Sequence, residues 1–149
     1  MRKILVMLFA LFVSANVFAF EFDGINLNDK TLKVTREVGK KGYVTDPANP
    51  NRFKGNCRGK EIYISFDLDN VSEENHVGAL LVDVPMAHPE AYETSVELLN
   101  VIYHQDSATE AGTKYVVDKD GTIMLLSKTQ EGIRLTYYTS YFEQKKSKK

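Results

Sequence analysis

Cys57 is the only cysteine in the 149-residue chain, and no other feature limits the fold as much. No intramolecular disulfide can form, so a hydrophobic core must hold the chain together. The limit matters because the N-terminus reads as an export signal, and small exported domains commonly rely on disulfides. Arg2 and Lys3 precede an unbroken apolar run from Ile4 to Val13, followed by Ser14-Ala15-Asn16-Val17-Phe18-Ala19. A positive start, an apolar centre and slim residues at the end make up a secretory signal peptide. Cleavage is expected after Ala19, leaving a soluble chain that begins at Phe20 and works in the periplasm or the medium. Asn16 interrupts the run well short of the roughly 20 apolar residues a bilayer span requires. No membrane span is therefore expected after cleavage, and no cysteine follows the run to carry a lipid anchor.

Residues 20–142 suffice for one core and not for two. They read as a single β-rich domain, with residues 143–149 as a basic, flexible tail. The formal net charge of −1 falls to about −3 once Arg2 and Lys3 are removed. A balance this close to neutral argues against bulk nucleic-acid binding, which draws on accumulated lysine and arginine.

The expected fold is α+β. An antiparallel sheet of five or more strands, ending in a three-stranded C-terminal meander, packs against one amphipathic helix. Phe22, Ile25 and Leu27 mark a short entry strand broken at Asp23-Gly24. Thr31 to Val38 alternates with period two and reads as a strand, turned by Gly39-Lys40-Lys41-Gly42 into Tyr43-Val44-Thr45. Asp46 to Lys60, with Pro47, Pro50, Gly55 and Gly59, reads as a loop. Glu61 to Leu68 and the apolar run from Gly78 to Val84, stopped by Pro85, read as strands.

The helix is expected from Pro89 to His104, with Tyr92, Val96, Leu99 and Tyr103 on one stripe and Glu90, Glu93, Glu97 and His104 on the other. Asp120-Gly121 between two β-rich runs predicts a two-residue hairpin turn, opposing Val117 to Met124 and Tyr115 to Leu126. Both faces of that hairpin carry apolar residues, so one face should lie under the helix and the other against further sheet or a partner. Ile133 to Phe142 reads as the last strand, and no internal repeat is visible.

Candidate chemistry is sparse. Arg52, Phe53, Lys54, Arg58 and Lys60 form the one concentrated basic stretch inside the domain. Interleaved with Gly55 and Gly59, they are the expected ligand-binding residues, suited to an anionic group. Asp118-Lys119-Asp120-Gly121 lacks the first and last ligands of a calcium loop. The acids Asp67, Asp69, Glu73 and Glu74 read as a solvated connection. His76, His88 and His104 follow no zinc spacing, so neither metal nor cofactor is expected. No catalytic residues are assigned. The expected function is an exported, non-catalytic module binding an unknown protein, glycan or lipid partner. The alternative is a small secreted hydrolase of nucleic acid or cell-wall polymer, joining His104 to Glu97 and a cation such as Arg58.

Overall fold

The structure, a computed structural model, describes residues 21–143 except 23, 58, 87 and 117–122. The expected signal peptide, Arg58, the Asp120-Gly121 turn and the lysines of the tail lie outside the described residues. The architecture is α+β: one large antiparallel sheet of eight strands with two helices among the described residues. A two-stranded hairpin, β1 (Glu21–Phe22) and β2 (Ile25–Asn26), comes first, followed by helix α1 (Thr31–Lys40). Strands β3 (Val44–Asp46), β4 (Asn49–Cys57), β5 (Lys60–Asp67) and β6 (Ala79–Pro85) follow. Helix α2 (Ala91–Ile102) then leads into β7 (His104–Thr109), β8 (Gly112–Val116), β9 (Ile123–Lys128) and β10 (Gly132–Tyr138).

The strand order β3-β4-β5-β6-β10-β9-β8-β7 carries a symmetry that the sequence hides. Each half of the chain is one helix followed by four strands that pair in succession, and the halves join where β6 runs antiparallel to β10. Exchanging the halves leaves the topology unchanged. The repeat lies in the architecture and not in the sequence. The two halves share an order of elements without a shared residue pattern.

Both helices and the N-terminal hairpin contribute to a single buried cluster. Phe22, Ile25 and Leu27 come from the hairpin, Val34 and Val38 from α1, and Ala91 and Leu99 from α2. The sheet contributes alternate residues from one face: Ile62 and Ile64, Leu80, Val82 and Val84, Met124 and Leu126, Ile133 and Leu135. Burying one face of a sheet under helices gives a two-layer domain, and no helix among the described residues covers the other face. Gly55 lies on the covered face, where a Cβ would collide with the Tyr43 ring. Its missing side chain is therefore what admits that ring into the core.

Five sequence expectations are corrected. Thr31–Lys40 is helical, not a strand. Its β-branched residues favour extended backbone in isolation, but a helix puts Val34 and Val38 one turn apart into the core and leaves Leu32 81% exposed. The residues read as a hairpin turn are the helix end, where Gly42 takes φ 91° and the Tyr43 N–H bonds the Val38 carbonyl. A single helix therefore becomes two. The stretch read as a loop holds β4, in which Pro50 and Gly55 did not prevent pairing with β3 and β5. Finally, β8 pairs with β9 two residues away from the expected register, with Tyr115 opposite Met124. An even shift returns every side chain to its original face, so the residues expected to share a face still share it.

Candidate functional site

The uncovered face of the sheet is the candidate site. Period-two alternation sends Arg52 and Lys54 of β4, Tyr63 and Ser65 of β5, and Leu81 and Asp83 of β6 to this side. Arg134, Thr136 and Tyr138 of β10 and Leu125 and Ser127 of β9 join them. One cross-strand row runs Lys54, Tyr63, Asp83, Arg134, Ser127, and its neighbour runs Arg52, Ser65, Leu81, Thr136, Leu125. A third row holds Asp67, Ala79 and Tyr138.

Three ion pairs lie along this face. Arg134 donates from Nε to Asp83 Oδ1 at 2.6 Å and from Nη2 to Asp83 Oδ2 at 3.1 Å, a two-bond fork across the central strand pair. This hydrogen bond holds the guanidinium above its usual pKa. Arg52 donates to Asp46 Oδ2 from Nε at 3.0 Å and Nη2 at 2.9 Å, and its guanidinium sits 4.1 Å from the centre of the Tyr63 ring. The Ala48 N–H and the Arg52 guanidinium, the Ala48 bond foremost, lower the Asp46 pKa. Lys54 pairs with Glu61 at 3.4 Å, and Glu61 accepts from the Tyr63 hydroxyl at 2.7 Å.

Two hollows lie along the face and share Arg134. The larger, about 410 Å³, has an apolar floor of Ala79, Leu81 and Leu125. One wall carries Tyr138 and Phe142, whose ring centres are 4.5 Å apart at 54°. Polar groups rim it: Ser127, Thr136 and Arg134 on the strands, and Asp67, Asn70 and Glu143 at the loop end. The smaller, about 260 Å³, lies between Arg52, Asp83, Arg134 and the turn Thr129-Gln130-Glu131. Volumes of this order suit small ligands or a protruding group of a larger one.

The loop end is built by two distant segments. Residues after β5 and after β10 are laced together: Ser72 N–H donates to the Tyr141 carbonyl at 2.8 Å and Glu143 N–H to the Asn70 carbonyl at 2.9 Å. His76, buried, stacks on Tyr141 with ring centres 3.9 Å apart. The Asp67 carboxylate turns the connection by accepting from the Asp69 and Asn70 N–H groups and the Asn70 amide. Gly78 is obligatory here, because a Cβ would stand 2.6 Å from the Asn70 carbonyl oxygen. Its absence lets the connection close down on β6 and brings Asn70, Phe142 and Glu143 to the rim.

The expected ligand residues divide between the faces. Arg52 and Lys54 are on the open face, and Arg52 lines the smaller hollow. Phe53 faces the core, packed against Phe66 with ring centres 6.0 Å apart. Lys60, at the start of β5, alternates to the same side as Ile62. Of the parts considered for hydrolysis, Arg58 lies outside the described residues. His104 lies on the edge strand β7, six strand positions from β4 and so about 29 Å away at roughly 4.8 Å per strand. Glu97 is exposed on α2, on the covered side of the sheet.

Sequence reasoning missed Asp83, Arg134, Tyr138 and Phe142. The apolar residues noted on the second face of the hairpin were the one sign of this floor. No helix among the described residues is long and apolar enough to cross a membrane. Comparison with models of known families, with curated proteins and with solved structures finds no match to this chain.

Proposed function

We propose that this chain is an exported, non-catalytic binding module that seats a group of a protein, glycan or lipid partner on the open face of its sheet. One observation carries the reading: the uncovered face holds a cavity of about 410 Å³ with an apolar floor and a polar rim. A solvated sheet face needs only polar residues, so the half-buried Leu81 and Leu125 offer apolar surface to a ligand. Arg52 and Lys54 border this face on the β4 side and serve as flanking contacts for a ligand that extends past Arg134. The sheet edges are poor docking strands. β3 has three residues and runs into Pro47, and β7 is interrupted by a register shift between Gln105 and Ser107.

A fragment-sized compound mixture, followed by NMR on the mature chain, should shift signals of Leu81, Leu125, Thr136 and Tyr138. Leu125→Arg, which places a guanidinium across the floor, should weaken those responses at least about tenfold while leaving the thermal midpoint within a few degrees, as expected of a partly exposed site. Responses confined to the helical side would refute the reading.

Export rests on Arg2-Lys3, the Ile4 to Val13 run and the slim residues before Phe20. N-terminal sequencing of protein recovered from the periplasm or medium should begin at Phe20. Recovery with Met1 in place from a membrane fraction would refute export.

A further inference from the structure

We propose that the loop end of the open face is a site for an organic cation, an alkylated or quaternary ammonium group borne on an apolar body. The inference rests on the open face being the ligand surface, and names what that surface takes. Tyr138 and Phe142 meet at 54° with ring centres 4.5 Å apart, so their half-buried rings form two sides of a corner. The negative face of an aromatic ring attracts a cation, and the attraction grows where water is displaced.

The charges at this end have the matching sign. Arg134 is the one cation among the described lining residues, and both carboxylate oxygens of Asp83 already bind its guanidinium. At the aromatic end stand the carboxylates of Asp67 and Glu143. Burial, and then the Asp67 charge, raises the Tyr138 phenol above its usual pKa. The ring wall therefore stays neutral and lies within the carboxylate's field. Ligand and site would thus be complementary in charge as well as in shape.

The floor narrows the class further. A hard cation such as calcium takes about six to eight oxygen ligands, whereas Ala79, Leu81 and Leu125 present hydrocarbon. A bare ammonium is strongly hydrated and loses that water at a cost, whereas alkyl groups around the nitrogen reduce the loss. The corner is also formed before any ligand arrives. Phe142 and Glu143 are held by the Ser72–Tyr141 and Asn70–Glu143 backbone bonds and by the His76–Tyr141 stack, so little ordering remains to be done on binding.

The test titrates the mature chain with choline and, separately, with its uncharged analogue, the alcohol in which a tert-butyl group replaces trimethylammonium. Choline should shift the ring signals of Tyr138 and Phe142 and bind about tenfold more tightly than the alcohol. Tyr138→Leu and Phe142→Leu keep apolar bulk and remove the ring, and each should bring that ratio close to one. Glu143→Gln, at an exposed position that tests charge without touching the core, should weaken choline several-fold and leave the alcohol unchanged. Equal affinity for the two probes at these rings would overturn the cation and keep the open face as the ligand surface. Absence of any choline response at Tyr138 and Phe142, or a ratio that survives both leucine variants, would also overturn it.

Discussion

Leu99→Ala should lower unfolding stability by ~2–5 kcal/mol, the range for a leucine removed from a packed core. Leu99 is fully buried on α2, in line with Ala91 and Ser95 at successive turns, and this stripe faces the sheet. The loss combines the transfer of hydrocarbon to water with a cavity that the rigid sheet below cannot collapse to fill. A domain of this size has about 5–15 kcal/mol in total, so the thermal midpoint should drop on the order of 10 °C. Val101→Ala, two residues away and 85% exposed, should change stability by less than about 0.5 kcal/mol. The pair separates helix from strand, because a strand through Val96 to His104 would put Leu99 and Val101 on one face and make their effects alike. Comparable midpoint losses in the two variants would mean that α2 is wrongly placed.

Stability should fall with pH from near the pKa of free tyrosine, about 10, to about pH 12. Burial raises Tyr115 and Tyr103 to about 12, with the charge of Tyr92 adding to the effect at Tyr115. Burial, and then Tyr103, drives Tyr137 well above the ordinary value. Below the unfolded pKa these hydroxyls are protonated in both states and their contribution to stability is fully present. As pH rises past it, the unfolded chain releases protons that the folded chain retains, so stability falls with pH until the folded groups ionise in turn. Tyrosinate absorbance should therefore rise together with the loss of circular dichroism. Tyr115→Phe removes one ionisable group from the core, so its stability should decline less steeply over the same interval. If all eight tyrosines ionised with a normal midpoint while the fold persisted, the buried positions of Tyr115 and Tyr137 would be wrong.

Where a single face of a single element decides burial, local pattern was enough. The stripe on α2 repeats every three to four residues, and the apolar run of β6 ends at a proline, so both elements are legible from their own residues. α1 was misread because its ten residues alternate as well as they turn. Val34 and Leu32 look equivalent along a strand, and only the packing of Val34 and Val38 against the core separates them. In β4, a proline and a glycine that normally mark a loop were overruled by two neighbouring strands and by the Tyr43 ring over Gly55.

By itself the sequence determined composition-level facts and local periods: an α+β chain of neutral character without disulfides, several strands, one clear helix, and a hairpin with apolar residues on both faces. Tertiary structure alone decided which face of the sheet stayed open and which residues met there. Asp83 and Arg134 are 51 positions apart, yet strand pairing joins them, and Asp67 and Glu143, further apart still, are brought by the lacing of two loop segments to a cavity that Arg134 also lines. Such meetings depend on strand order and register, which follow from how the whole core is buried, and a local period carries no information about either.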